Sequence, residues 1–213
     1  MSRRVRLEIG DSSLPRASVA GGSFGTASWG TAIVAAAEAF SDQHGAHPEP
    51  GAKTEAQAPE LNEGNLSRHS FGAQFAEVRV NADTGEIRVS RMLGVFSVGR
   101  VINPVTARSQ FVGGMTMGVG MALHERGVMD PRFGSIVNHD FAEYHIPTCA
   151  DIQDLEAIWL EEPEALPGAR GARGLGEIGI VGAAAAIANA AYHATGIRAR
   201  NLPLTPDMFL SRT

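Results

Sequence analysis

The chain has 213 residues, 44% of them hydrophobic, enough for one large domain or two small ones with a sizeable core. Eighteen basic residues face 23 acidic ones, a net charge of −5, and no basic patch stands out, which argues against a nucleic-acid partner. The single cysteine, Cys149, excludes an internal disulfide and any cysteine-ligated iron–sulfur cluster within the chain, and no segment reads as the roughly 18 apolar residues of a membrane span.

Arg3-Arg4 has the spelling of a twin-arginine signal, but Val5-Arg6-Leu7-Glu8-Ile9 alternates where an apolar run should follow. Val5, Leu7 and Ile9 on one face, with Arg4, Arg6 and Glu8 on the other, predict a strand. A chain that opens almost directly in a strand reads as cut off on its N-terminal side. Residues 10–15 form a turn. A Gly/Ser/Thr loop, residues 21–28, then leads into an apolar helix over about 31–40. Such a loop offers backbone N–H groups and hydroxyls to a phosphate. It lacks the Gly-Lys-Ser/Thr ending of an ATP loop, and an ordinary connector explains it equally well.

Residues 41–68 carry Pro48, Pro50 and Pro59 with few large apolar residues. Such a composition buries too little surface to order itself, so this stretch is the expected linker. It divides the chain into a 1–40 segment, too small for its own core and expected to pack on the rest, and a 69–213 lobe.

The lobe begins with a hairpin. Ala76, Val78 and Val80 alternate with Glu77 and Arg79, residues 81–86 turn, and residues 87–89 return. After a loop at 99–104, residues 110–125 are apolar nearly all round and predict a buried helix, with Gln110 near its amino end. Gly113, Gly114, Gly118 and Gly120 inside it each cost about 1 kcal/mol relative to Ala. Close approach of another backbone or of a ligand must offset that. Its three methionines read as core filler. His139, Asp140, Glu143 and His145 lie close together, but their spacing fits no standard zinc pattern, and no metal ligand is assigned. Residues 155–160 predict a strand, with Glu161, Glu162 and Glu164 as a solvated acidic edge. Cys149 reads as a small buried residue.

The stretch Gly174-Leu175-Gly176-Glu177-Ile178-Gly179 carries the most chemistry. Glycines on both sides of a carboxylate permit close approach, and the Ala-rich run after it predicts a helix closed by Gly196. Ala184, Ile187, Ala188 and Ala191 form its apolar face. The spelling also fits the dinucleotide pattern G-x-G-x-x-G. Yet turn chemistry precedes it in place of a strand, no acid follows about 20 residues on, and Glu177 would repel a pyrophosphate. Glu177 therefore reads either as a helix cap or as a general base, whose charge is favoured by a helix amino end and opposed by burial.

Taken together, GDSSLPRASVAGGSFGTASWG, HSFGAQFAEVRVNADTGEIRVSRMLGVFSVGRVINP, TARSQFVGGMTMGVGMALHE, DPRFGSIVNHDFAEYHIPT, GARGLGEIGIVGAAAAIANAAYHATG and RNLPLTP resemble the molybdopterin-binding large subunit of the xanthine dehydrogenase and aldehyde oxidase family, nearest to the bacterial three-subunit aldehyde oxidases. The resemblance implies an α+β fold of short mixed sheets and buried Gly-rich helices. It implies that Glu177 is the catalytic base, taking a proton from a molybdenum-bound hydroxyl whose oxygen attacks an aldehyde carbon. It further implies that Gly22, Ser23, Phe24, Gly25, Thr26 and Gln110 contact the molybdopterin, in its cytosine dinucleotide form, and that iron–sulfur clusters and FAD reside on partner subunits. The match covers the carboxy-terminal portion of such subunits, so an upstream half is an expected partner. A truncated, non-catalytic remnant of the same fold is the alternative. With no signal peptide read in the chain, the expected location is the cytoplasm, or the periplasm by export with a signal-bearing partner.

Overall fold

The computed structural model describes residues 8, 10–14, 21–23, 25–57, 69–162 and 171–210. The strand expected at 5–9, apart from Glu8, together with Phe24, part of the expected linker and Glu164, lies outside the described residues. In chain order the elements are α1 (Gly25–His44), β1 (Phe71–Val80), β2 (Ile87–Ser97), α2 (Pro104–Leu123), β3 (Met129–Asp130), β4 (Ser135–Ile136), β5 (Leu155–Trp159), α3 (Ile178–Val181) and α4 (Ala183–Thr195), followed by a 3-10 turn at Pro206–Met208. The fold is α+β.

β1 and β2 pair antiparallel, as the alternation of residues 76–80 predicts, but both strands are longer than the sequence pattern marks. The turn between them closes on Asn81, whose Oδ1 accepts from the amides of Asp83 and Thr84. Gly85 completes the turn at φ 72, where a Cβ would run into the carbonyl of Pro206. A register shift between Glu77 and Val78 leaves Ser90 as the extra residue of a bulge, which keeps the inward alternation in step on both strands. β5 adds in parallel to β2, giving the order β1-β2-β5.

α2 and α4 cover one face of this sheet. The inward residues Ile87, Val89 and Met92 meet Val119, Ala122, Ala183, Ala184, Ile187 and Ala191. A second cluster joins Phe96 and Val98 to Ala107, Phe111 and Met115; there the rings of Phe96 and Phe111 stack at 4.4 Å, a contact that adds to the buried area of both.

α2 corrects the sequence reading. It begins at Pro104, because Asn103 accepts from the amides of Val105 and Thr106 as an N-cap and Pro104 tolerates the first helical position. Gln110 therefore sits well inside the helix and not at its amino end. Nor is the helix buried all round: Ala107, Phe111, Met115, Val119 and Ala122 lie inside, while Met117 and Met121 are exposed. Only Met115 is core filler.

The Ala-rich run also differs. It is two helices, α3 and α4, separated at Gly182, and Gly196 closes α4 at φ 74 as expected. Residues 178–195 are long and apolar enough to cross a membrane by length and composition alone, which the sequence reading overlooked. Here, however, Ala183, Ala184, Ile187 and Ala191 are part of the core. Cys149 is exposed rather than buried.

α1 starts at Gly25, earlier than expected, and runs through residue 44. It makes no extensive contact with another helix or strand among the described residues. Part of the expected linker folds against its end: Ala52 N donates to the Glu49 carbonyl and Thr54 Oγ1 donates to Gln43.

Candidate functional site

The segment 174–179 is held by its backbone carbonyls. Ser70 Oγ donates to Gly174 O at 2.5 Å. Gln110 Nε2 donates to Gly176 O at 2.6 Å. Gln74 Nε2 donates to both Ile178 O and Gly179 O, at 3.1 and 3.0 Å. Three side chains from α2 and from the start of the hairpin thus satisfy four carbonyls within six residues, each of which would otherwise be a costly unpaired acceptor once shielded from water. Leu175 and Ile178 turn inward against the Phe96–Phe111 cluster, which anchors the segment on its apolar side.

The glycines of this segment serve protein packing. A Cβ on Gly176 would overlap Ser23 Oγ, and one on Gly174 would lie 2.9 Å from the Gly22 carbonyl. A Cβ on Gly179 would lie 2.7 Å from the Phe111 carbonyl, and one on Gly114 would lie 2.9 Å from the Gly179 backbone. The close approach that the sequence pattern leaves open to a ligand is thus taken up by the 22–23 loop and by α2. Gly113 is the exception: nothing stands within 4 Å of where its Cβ would be.

Glu177 stands at the N-cap position of α3, yet its side chain makes no capping hydrogen bond, and the residue is exposed. A capping carboxylate would accept from the first amides of the helix; this one does not. The bland alternative to a chemical role lacks the bond that defines it.

The structure brings together most of the residues singled out in the sequence. Ser23, in a left-handed conformation at φ 60 beside Gly22 at φ 61, packs on Gly176, and Gln110 bonds the same residue. Both therefore flank the backbone that carries Glu177. Gly25 and Thr26 form the first turn of α1, which contains no acidic residue, so the helix dipole there favours an anion. The expected phosphate loop is thus in part a helix amino end.

Sequence reasoning missed a polar cluster behind the segment. Glu162, assigned above to a solvated edge, accepts from Ser97 Oγ at 2.5 Å and from Gly99 N at 2.8 Å, and it pairs with Arg173. Arg173 also donates to Ser97 Oγ and to the His69 carbonyl, while its own amide donates to Val98 O. Ser97 is 1% exposed, so its hydroxyl requires such partners. The cluster fixes the residue just before Gly174 to the end of β2. Gln74 was legible in principle: it is a polar residue in the inward register of Ala76, Val78 and Val80, and such a residue needs a buried partner. Among the described residues no group of three or more His, Cys, Asp or Glu is placed to hold a metal ion. Asp140 instead accepts from the amides of Ala142 and Glu143 in a local turn.

Comparison with known proteins gives the family. Residues 44–153 match the family of the molybdopterin cofactor-binding domain. The chain is 44% identical over 153 residues to the aldehyde oxidoreductase molybdenum-binding subunit PaoC of Escherichia coli, covering 70% of the chain and 21% of that protein. It is 36% identical over 162 residues to the putative xanthine dehydrogenase molybdenum-binding subunit XdhA of the same organism, covering 75% of the chain and 21% of that protein. The aldehyde oxidoreductase of Desulfovibrio desulfuricans superposes with a TM-score of 0.74 at 27% identity, covering 92% of the chain and 23% of that structure's chain. The chain spans about a fifth of the length of the curated relatives it matches. The resemblance read from the sequence motifs is borne out: the chain belongs to the molybdopterin cofactor-binding family of the xanthine dehydrogenase and aldehyde oxidoreductase molybdenum-binding subunits.

Proposed function

We propose that the chain contributes the general base and part of the cofactor cradle to a molybdenum hydroxylase that oxidises aldehydes to carboxylic acids with a water-derived oxygen. The reading rests on one observation above all. Ser23 and Gln110 converge on Gly176, while the neighbouring Glu177 carboxylate is exposed and makes no cap bond.

The residues present fit a phosphate-bearing pterin. The amino end of α1, with Gly25 and Thr26, supplies amides and a hydroxyl for an anion. Gln110 spends one N–H on Gly176 O and keeps its carbonyl oxygen and second N–H for a heterocycle. The open space over Gly113, one turn further along α2, leaves room beside it. Gly22, Ser23 and Phe24 complete the cradle in this reading. Bound there, molybdopterin supplies the redox chemistry and the activated oxygen. This chain's part is to hold Glu177 by the carbonyls on either side of it and to accept a proton at its carboxylate. The cytosine dinucleotide form of the cofactor, iron–sulfur and FAD subunits, and an upstream half of the same subunit belong to this proposal. So does work in the cytoplasm, or in the periplasm when exported with a signal-bearing partner.

The test is Glu177→Gln in the assembled enzyme. It should retain the pterin, measured by fluorescence after oxidation, and lose about 10²–10⁴-fold in turnover, the range typical of a missing general base. Loss of pterin with an unchanged rate per bound molybdenum would refute the role.

A further inference from the structure

The three-stranded sheet also carries an apolar patch on the face turned away from α2 and α4, and among the described residues no helix packs extensively on it. α2 and α4 pack on the face carrying Ala76, Val78, Val89 and Met92. The register places Ala73, Val95 and Ile158 side by side across the other face, with Phe75 and Leu93 in the next row. Phe71 and Leu160 extend the patch at its end, and Phe71, Phe75, Ile158 and Leu160 are 54%, 59%, 43% and 46% exposed. Scattered surface apolar residues are ordinary, but a contiguous patch on regular structure marks a contact. Sheets apolar on both faces are stable when a layer covers each. The far side of the patch is closed by charges, with Arg91 bridging Asp154 and Glu156 at 3.3 and 2.8 Å. An apolar centre with a paired charged rim has the composition of a protein interface.

We propose that this outer sheet face is the docking surface for the polypeptide that makes up the rest of a complete molybdenum-binding subunit, whether joined to this chain or separate. The inference rests on the proposed membership of a larger assembly. Its support is the length outside the structure: the superposable unit is 23% of the Desulfovibrio desulfuricans chain and 18% of the Pseudomonas putida quinoline 2-oxidoreductase chain. In those proteins the unit is built into a much longer polypeptide, which favours a non-identical body over a second copy as the cover. The position has a consequence for the site. Phe71 adjoins Ser70, which holds Gly174, and Leu160 lies two residues from Glu162, which pairs with Arg173. A body seated on the patch shields from water the bonds that fix the segment bearing Glu177, and so strengthens them.

The test uses the full chain, tagged, coexpressed with the Escherichia coli PaoC polypeptide from which the stretch matching this chain has been removed. The wild-type chain should capture that polypeptide. Phe75→Thr with Ile158→Thr, which keeps strand propensity, should lower capture at least tenfold while leaving the circular dichroism and melting temperature of the chain alone within error. Phe133→Thr, an exposed aromatic on the remote β3–β4 turn, should capture as wild type. No capture by wild type, equal capture by the double variant, an equal loss in Phe133→Thr, or self-association through Phe75 in sedimentation would each overturn the proposal. Pterin in the captured complex separates the two claims. Capture that depends on Phe75 without pterin leaves this surface standing and removes the enzymatic reading. Pterin-loaded capture that ignores Phe75 does the reverse.

Discussion

At the scale of single residues, the segment 174–179 is defined by what holds its carbonyls. Gly176 is the meeting point: Gln110 takes its carbonyl, and Ser23 fills the space where a side chain would be. Gly176→Ala should therefore displace the 22–23 loop and cost about 1–3 kcal/mol, the usual range for overpacking. Ser23→Gly removes the overlapping hydroxyl and suits φ 60 better than serine does, so the double variant should recover part of that loss in urea unfolding. Behind the segment, Glu162→Gln leaves Arg173 without its ionic partner at a site where both side chains are less than a third exposed. A loss of about 1–3 kcal/mol is expected, visible as faster amide exchange at Gly99, whose N–H donates to Glu162. Asp151 supplies a pH signature. Hydrogen bonds from the Thr148 amide and hydroxyl hold its carboxyl below the ordinary aspartate value. Such a depressed group stabilises the fold above its unfolded value, and that contribution is lost as pH falls through the native one. The protection of the Thr148 amide, its exchange rate relative to that of an unstructured amide at the same pH, should fall across that acid window, and Asp151→Asn should remove that change in protection.

At the scale of elements, two glycines one residue apart on α2 have opposite meanings. Gly114 lies against the backbone of Gly179, whereas Gly113 faces open space. Gly114→Ala should separate α2 from α3 and destabilise the chain by about 1–3 kcal/mol, despite the better helix propensity of alanine. Gly113→Ala carries no such clash and should stabilise it by about 0.5–1 kcal/mol. Chemical denaturation of both variants gives the comparison, and a common sign would contradict the packing described. The same helix shows how local signals were under-read. Asn103-Pro104 is an N-cap followed by a first-turn proline, so the helix start was present in the sequence, although residues 99–104 read as a loop. The division of the Ala-rich run into α3 and α4 was not legible, because an isolated glycine inside a helical pattern is tolerated at a modest cost and does not by itself mark a break. Here Gly182 lies against Gln74, whose amide claims the carbonyls of Ile178 and Gly179.

At the scale of the whole molecule, the exposed apolar sheet face and the exposed side of α2 indicate a unit made to be covered. Because the chain spans about a fifth of its relatives' length, we expect the lone chain to take up no stoichiometric molybdenum. Metal analysis of material purified alone checks this, and a full complement of metal would show that the cradle is self-sufficient.

Periodicity, caps and turn residues determined the element types, and the ordered motifs determined the family, because both are written in neighbouring residues. The sequence also singled out Ser23, Gln110 and Glu177, though not their relation. That Ser23 and Gln110 meet at Gly176, that Glu162 is bound rather than solvated, and that Glu177 makes no cap bond were decided only by tertiary structure. The first two are contacts between residues apart along the chain, and all three depend on how the sheet, α2 and the 174–179 segment stack, which no local pattern encodes.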